Sequence, residues 1–245
     1  EMRDRRVIQG LLTAIKEKTR SINSPLRIME VCGTHTMTIH RFGLKKILKD
    51  AGIEVLSGPG CPVCITPDEY HEAAIGLVEK KENFILATFG DMTRVPTSSG
   101  SIQTTVAGKN SQVKIVYSPF EALEIAKNHP EREVVFFGVG FETTIPGIVL
   151  SVKEAAENKI KNYSVLSAFW IIPPPLRAIV MDDSSIHGFI YPGHVSAIIG
   201  LAPYAFIADD YKIAGAVAGF EPVDVLLAIK SIADQISTGK PIVDN

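Results

Sequence analysis

The sequence predicts an α/β protein of two lobes, each an open, mostly parallel sheet flanked by helices, facing a central cleft. Short β-branched runs alternate with helical segments of roughly ten to fifteen residues, which is typical of parallel β/α units. Turns rich in Gly, Pro, Ser and Thr join them. The chain has 245 residues, 46% of them hydrophobic. That length and composition suffice for a full core.

The elements follow from apolar periodicity along the chain. Apolar residues at helical spacing predict an opening helix at residues 5–19. Strands are predicted at residues 27–31, 53–57, 84–88, 113–117, 134–139, 164–169, 188–191, 204–208 and 213–217. A helix at 121–128 separates the fourth strand from the fifth, so we place the first lobe at residues 1–120 and the second at 121–245. The stretch 91–109 has loop composition and is long for a connection.

Charge and hydropathy exclude several functional classes. The chain carries 25 Lys and Arg against 27 Asp and Glu, with no long basic block, so no nucleic-acid partner is expected. Its apolar runs are of strand length and too short to span a membrane. The first nine residues lack the apolar core of a signal peptide. We therefore expect a cytoplasmic protein, in which three cysteines indicate redox or metal chemistry rather than a disulfide framework.

Candidate functional residues follow the predicted strands. Ligands of open parallel sheets bind at the carboxyl ends of the strands, so the residues just after each strand are the ones to inspect. Those segments contain Cys32, His35, Cys61, Cys64, Asp91, Glu142 and His194. The sequence predicts that they crowd one rim.

The segment Cys61-Pro62-Val63-Cys64 places two thiols within reach of one another ahead of a predicted helix that Thr66 could cap. Amides and the dipole of a helix N-terminus favour a thiolate there. A redox pair is one interpretation. A zinc site that adds Cys32 and His35 is another, and two buried small hydrophobic residues are a third.

Cys32 and His35 lie on either side of a Gly-Thr turn, in the segment that leads into a helix. His35 can act as a base, a hydrogen-bond donor or a ligand. Together with the three thiols, His35 could bind a soft metal such as low-spin Fe(II).

Three further polar residues end other strands. His194 is either a nearby acid or base or an ordinary loop residue. Asp91 and Glu142 either order the opposite loop, handle protons or cap helices. The segments Gly140-Phe141-Glu142-Thr143 and Gly219-Phe220-Glu221-Pro222 are alike, which chance could produce.

Taken in order, these motifs resemble the HypD family of hydrogenase maturation factors. The segments that carry the resemblance are Glu30-Val31-Cys32-Gly33-Thr34-His35-Thr36, Gly58-Pro59-Gly60-Cys61-Pro62-Val63-Cys64, Thr88-Phe89-Gly90-Asp91-Met92, Gly140-Phe141-Glu142-Thr143-Thr144 and Pro192-Gly193-His194-Val195-Ser196. The first two are specific, and the resemblance runs over nearly the whole chain.

The resemblance implies a scaffold that works with a HypC-like chaperone to assemble the Fe(CN)2CO group of nickel–iron hydrogenases. A HypE-like protein would donate cyanide. By this resemblance Cys32 would hold iron with His35 nearby, and Cys61 and Cys64 would alternate between dithiol and disulfide to support cyanide reduction and transfer. Asp91, Glu142 and His194 are expected to contact the cofactor.

The sequence departs from the family pattern at its C-terminal end. The family carries a cysteine-rich segment that binds a 4Fe-4S cluster, whereas this sequence has no cysteine after Cys64. The ligands of that cluster are therefore expected to be absent. A general dithiol-disulfide oxidoreductase and a zinc-stabilised interaction module are the alternative functions.

Overall fold

The structure, a computed structural model, describes residues 2–22, 25–80, 83–105, 113–183 and 185–245. Within it the chain forms two compact units, one of Glu1–Cys61 with Ile171–Asn245 and one of Pro62–Trp170. Each unit has its own parallel sheet, which confirms the predicted α/β class. The contacts group the chain differently from the predicted lobes 1–120 and 121–245, because strands late in the sequence pair with the first strand.

Along the described chain, successive strands are separated by one or two α-helices. The strands are β1 (Leu26–Glu30), β2 (Ile53–Ser57), β3 (Phe84–Thr88), β4 (Val113–Ile115), β5 (Glu133–Gly140), β6 (Tyr163–Phe169), β7 (Gly188–Pro192), β8 (Ala214–Ala218) and β9 (Val243–Asp244). The helices are α1 (Arg5–Thr19), α2 (Gly33–Arg41), α3 (Leu44–Asp50), α4 (Pro62–Ile65), α5 (Asp68–Lys80), α6 (Ile102–Thr105), α7 (Pro119–Asn128), α8 (Ile145–Glu157), α9 (Pro173–Asp182), α10 (Gly193–Ile199), α11 (Ala205–Asp209) and α12 (Pro222–Thr238).

The first unit contains a parallel sheet with the strand order β2-β1-β7-β8-β9. Its register places Glu30 beside both Ser57 and Ile190. Pro192 in turn lies beside Ala218. The residues that follow β1, β2, β7 and β8 therefore leave the sheet at the same edge.

A hydrophobic core holds this sheet and its helices together. Ile15 of α1 and Ile229 of α12 are fully buried in one cluster with Ile28 of β1. Burial of such side chains stabilises the fold by about 1.5–3 kcal/mol each. The sheet edge that carries the candidate residues therefore rests on a well-buried core.

The second unit contains a parallel sheet with the strand order β4-β3-β5-β6. Every residue of β3 is buried, as expected for a central strand covered on both faces. Thr88 lies beside Phe137 in the register. The segments after β3 and β5 therefore share an edge in this unit.

Most predicted elements are confirmed, and the opening helix has the predicted bounds. The predicted strand at 204–208 is wrong, because this segment forms the 3₁₀ turn Ala202–Tyr204 and α11. Tyr204, Ile207 and Ala208 are buried, which is the i, i+3, i+4 spacing of a helix rather than the alternation of a strand.

The stretch predicted as a loop at 91–109 contains the 3₁₀ turn Met92–Arg94 and α6. Residues 106–109 of that stretch lie outside the described residues. Among the described helices, none is long and apolar enough to cross a bilayer.

His71 on α5 is a buried polar residue in the core of the second unit. It is 1% exposed, and neither ring nitrogen has a hydrogen-bond partner within the described residues. Its ring meets Phe137 edge to face at 5.4 Å between centroids. Burial lowers the pKa of His71, and the charge of Asp68 offsets part of that effect. The imidazole is therefore neutral in the folded protein at neutral pH.

Because His71 is buried as the neutral imidazole, the free energy of unfolding should depend on pH. The variant His71→Leu should show a weaker pH dependence. Below about pH 6.5 the unfolded imidazole takes up a proton that the buried one resists, so the free energy of unfolding falls as the pH falls. His71→Leu removes this contribution and loses no described hydrogen bond. Urea unfolding of both proteins between pH 8 and pH 5 measures the difference. Parallel stability curves for the two proteins would contradict the prediction.

Candidate functional site

Cys32 lies at the carboxyl end of β1, where the chain turns into α2. It occupies the N-cap position of that helix with extended backbone angles, and its side chain is 6% exposed. Its backbone N–H donates to Glu30 Oε2 at 3.0 Å. The thiol therefore lies in a buried turn whose backbone N–H is hydrogen-bonded.

Glu30 is a buried carboxylate that organises this turn. It is 1% exposed, and its second oxygen accepts a hydrogen bond from the Thr36 hydroxyl on α2. Thr36 Oγ1 also lies 3.5 Å from Ser57 Oγ at the end of β2. Glu30 thus connects the Cys32 peptide to the first turns of α2, a role that the sequence did not reveal.

Gly60 brings the loop after β2 against Cys32. Its carbonyl accepts a hydrogen bond from Gly33 N–H at 3.1 Å. A Cβ atom at Gly60 would lie 2.2 Å from Cys32 N and 2.4 Å from Cys32 Cα, so only glycine fits. A Cβ atom at Gly33 would in turn lie 3.8 Å from Cys61 Cβ. The structure therefore places Cys61, which is half-buried, beside the Cys32 turn.

His35 is fully buried on α2, and its two nitrogens differ. Nε2 lies 3.0 Å from the Gly219 carbonyl oxygen and 3.4 Å from that of Ala218. Because carbonyls only accept, Nε2 carries the proton and donates it. Nδ1 keeps its lone pair, with no hydrogen-bond partner among the described residues. This nitrogen is the one available to act as a base or a ligand.

The electrostatic environment of His35 favours the neutral imidazole. Burial lowers the pKa of His35, whereas the Gly219 carbonyl and the charge of Glu30 raise it by less. His194 adds to the lowering. A neutral imidazole can accept a proton or donate an electron pair to a metal, which an imidazolium cannot do.

Phe220 joins His35 to His194. The ring centroids of both histidines lie 5.0 Å from that of Phe220. The Phe220 carbonyl also accepts a hydrogen bond from Thr38 Oγ1 at 2.6 Å. The loop after β8 thus contacts α2 and the start of α10. This loop is the segment Gly219-Phe220-Glu221-Pro222. Its position directly after a parallel strand is the sequence signal that could have identified it as part of the site.

The remaining predicted residues belong to the second unit. Asp91 follows β3, and its carboxylate accepts a hydrogen bond from Met92 N–H at 3.0 Å, as a cap of the 3₁₀ turn. Glu142 follows β5 and is buried. Cys64 is exposed on α4. The single predicted rim therefore divides, with Cys32, His35, Cys61 and His194 in the first unit.

The structure offers no completed metal site among the residues that it describes. No three His, Cys, Asp or Glu side chains of that part of the chain are arranged to hold a metal ion. A closed zinc site requires four ligands. The predicted iron ligands Cys32 and His35 therefore remain a proposal.

The fold and this site define a parallel α/β protein with a cysteine and histidine cluster at a sheet edge. A family model named HypD, described as hydrogenase formation hypA family, matches residues 6–245. The chain belongs to this family.

Curated relatives carry the same family name. The Hydrogenase maturation factor HypD of Rhodobacter capsulatus is 44% identical over 251 residues, covering 100% of this chain and 66% of the relative. The protein of the same name from Escherichia coli K12 is 38% identical, covering 97% of this chain and 64% of the relative. HypD2 of Bradyrhizobium diazoefficiens is 37% identical, with 100% and 66% covered. The chain thus spans slightly less than two thirds of the length of these relatives.

Gly60→Ala should disrupt the Cys32 turn. The added methyl group meets backbone atoms, which cannot rotate away, so we expect the free energy of unfolding to fall by about 2 kcal/mol or more. Gly10→Ala is the control, since a Cβ at Gly10 on α1 meets nothing within 4 Å and alanine favours a helix. Urea unfolding measures both. Equal stability of the two variants would refute the proposed close approach.

Glu30→Ala and Glu30→Gln should differ in stability. Alanine leaves the buried Cys32 N–H without its acceptor, which costs about 1–3 kcal/mol. Glutamine retains an oxygen for that N–H, and the Thr36 hydroxyl can rotate to accept from the amide, so its loss should be about 1 kcal/mol or less. Thermal and urea unfolding test this order. If glutamine destabilises as much as alanine, the negative charge rather than the hydrogen bonds holds the turn.

Proposed function

We propose that this chain is a cofactor-assembly scaffold of hydrogenase maturation, with thiol redox and cyanide-transfer chemistry. In this proposal it works with a HypC-like chaperone to assemble the Fe(CN)2CO group, and a HypE-like protein supplies the cyanide. The observation that carries the proposal is the Gly33 and Gly60 contact, which gathers Cys32, Cys61 and His35 at one sheet edge. Membership of the HypD family supports the same function.

Cys32 and His35 are the proposed contacts to the iron that is being assembled. A thiolate donates strongly to iron that carries acceptor ligands such as cyanide and carbon monoxide. His35 Nδ1 has a lone pair and no described hydrogen bond, so it can bind the metal or take the thiol proton. The carbonyls of Ala218 and Gly219 fix the orientation of this imidazole.

Cys61 and Cys64 are the proposed redox pair. Oxidation of the two thiols to a disulfide forms one S–S bond and releases two electrons and two protons, which would go to the HypE-like donor as its bond to the cyanide group breaks. Cys61 lies beside the turn that carries Cys32, which supports a role for the pair next to the proposed iron contact. His194 is proposed to contact the cofactor, and its contact with Phe220 supports this role. Asp91 and Glu142 are proposed for the same role on the family pattern.

A resident 4Fe-4S cluster does not fit the residues present. Such a cluster takes four cysteine ligands. The sequence contains three cysteines, and the described residues gather no three metal-binding side chains. The proposed function therefore includes no step through this cluster.

A general dithiol-disulfide oxidoreductase is the second candidate function. The spacing of Cys61 and Cys64 and the exposure of Cys64 favour it. This function needs neither Cys32 nor His35. A zinc-stabilised interaction module has no comparable support from the described residues.

Infrared spectroscopy of the anaerobically purified complex with a HypC partner tests the proposed function. We expect cyanide and carbonyl stretching bands in the wild type and their loss in Cys32→Ala, while the complex still forms. Met37→Ala, on the exposed face of the same helix, is the matched control and should retain the bands. Absence of bands in a wild-type complex would refute the scaffold, and disulfide-reducing activity unchanged in Cys32→Ala would favour the oxidoreductase.

A further inference from the structure

Trp170 is the sole tryptophan of the chain, and it contacts the segment that carries Cys64. Its indole N–H donates to Thr66 Oγ1 at 3.0 Å. The Thr66 hydroxyl donates in turn to the Pro62 carbonyl at 2.7 Å. These two hydrogen bonds link Trp170 through the Thr66 hydroxyl to the carbonyl of Pro62, the first residue of α4. The sequence predicted Thr66 as a helix cap, whereas these bonds run to the preceding turn and to Trp170.

Both ends of this hydrogen-bond chain are anchored within the second unit. The backbone N–H of Trp170 donates to the Gly140 carbonyl at the end of β5 at 3.0 Å. The Trp170 ring packs edge to face against Tyr70, with 6.2 Å between the ring centroids. Thr66 is 6% exposed. Both hydrogen bonds of Thr66 are partly buried, so water competes less for these groups than at an exposed site.

The turn that carries Cys64 needs such an anchor. Helix α4 has four residues, and none of them is buried. A helix of this length is unstable by itself, because one turn fixes many dihedral angles for few hydrogen bonds. Val63 packs against the core of the second unit while only partly buried, and the hydrogen bonds from Thr66 and Trp170 add a directional restraint on the turn.

We propose that Trp170 and Thr66 are positioning residues that set the thiol-disulfide equilibrium of Cys61 and Cys64. This inference rests on the proposed redox function of the pair. The hydrogen-bond chain is present with the cysteines as thiols. A disulfide confines the two Cβ atoms to about 3.5–4.5 Å, and these hydrogen bonds resist any movement of the turn that closing this bond requires. We call the hydrogen bonds of Trp170 and Thr66 the clamp. The clamp therefore favours the dithiol and raises the reduction potential of the pair.

The redox step is balanced with glutathione disulfide as the oxidant. One thiolate of the pair attacks glutathione disulfide and releases one glutathione thiol. The second thiolate then attacks the mixed disulfide, closes the Cys61–Cys64 bond and releases another. The pair loses two electrons and two protons, and both appear in two molecules of reduced glutathione.

Equilibration of the full chain with mixtures of reduced and oxidised glutathione tests the proposal. Trp170→Phe keeps an aromatic ring beside Tyr70 and removes the N–H donor. Thr66→Val keeps the shape and removes the hydroxyl, whereas Thr66→Ser keeps the hydroxyl and is the matched control. Alkylation followed by mass spectrometry of the peptide with Cys61 and Cys64 measures its disulfide fraction separately from Cys32.

We expect Trp170→Phe and Thr66→Val to favour the disulfide by about threefold to tenfold, as the loss of one hydrogen bond would do. This corresponds to a potential lower by about 14–30 mV. Thr66→Ser should stay within about twofold of the wild type. The double variant should not exceed Thr66→Val, because both changes break the same chain of bonds. If Trp170→Phe does not fold, the valine and serine variants still decide the question.

Two results would overturn the inference, and they are distinct. If the wild-type pair titrates and all variants agree within twofold, the clamp has no redox role, while the proposed redox function stands. If the wild-type pair forms no disulfide at any glutathione ratio, the proposed redox function itself fails, and the inference fails with it.

Discussion

The candidate site depends on the approach of two backbones, in which Gly60 lies against the peptide that joins Val31 to Cys32. The parallel pairing of β1 with β2 delivers both loops to one edge, and the lack of a side chain at Gly60 lets its carbonyl reach Gly33 N–H. Cys61 takes its place beside Cys32 as a result. The absence of one methyl group thus brings two cysteines together.

Buried polar groups then give the cluster its rigidity. Glu30 accepts hydrogen bonds from the Cys32 N–H and the Thr36 hydroxyl. The donors of this turn are therefore satisfied without the imidazole of His35. His35 donates hydrogen bonds from Nε2–H to the carbonyl oxygens of Ala218, at the end of β8, and Gly219. One nitrogen of His35 therefore serves the fold, and the other keeps its lone pair. A buried site with fixed donors needs little reorganisation when it binds charge.

The local part of this arrangement could be predicted from the sequence, and the distant part could not. Strand positions and the residues at strand ends follow from apolar runs and the Gly and Pro residues that interrupt them. The segment 204–208 was misread because a short apolar run fits a buried helix as well as a strand. Phe220 and the carbonyls that hold His35 were missed as contacts because pairing between β1, β7 and β8 is a tertiary property. Glu30 was missed because its partners are a backbone amide and a hydroxyl, which no motif marks.

The strand order of the first unit also constrains events at the ribosome. The second unit is one continuous segment, so its contacts are complete once that segment has emerged. The first unit is interrupted, and His35 meets Ala218 across 183 positions of sequence. Since domains fold as units while the chain is synthesised, Cys32 and His35 lack their finished surroundings until the residues through Gly219 have been synthesised. The nascent chain therefore carries an unprotected cysteine segment, open to oxidants and stray metal ions, until β7 and β8 emerge.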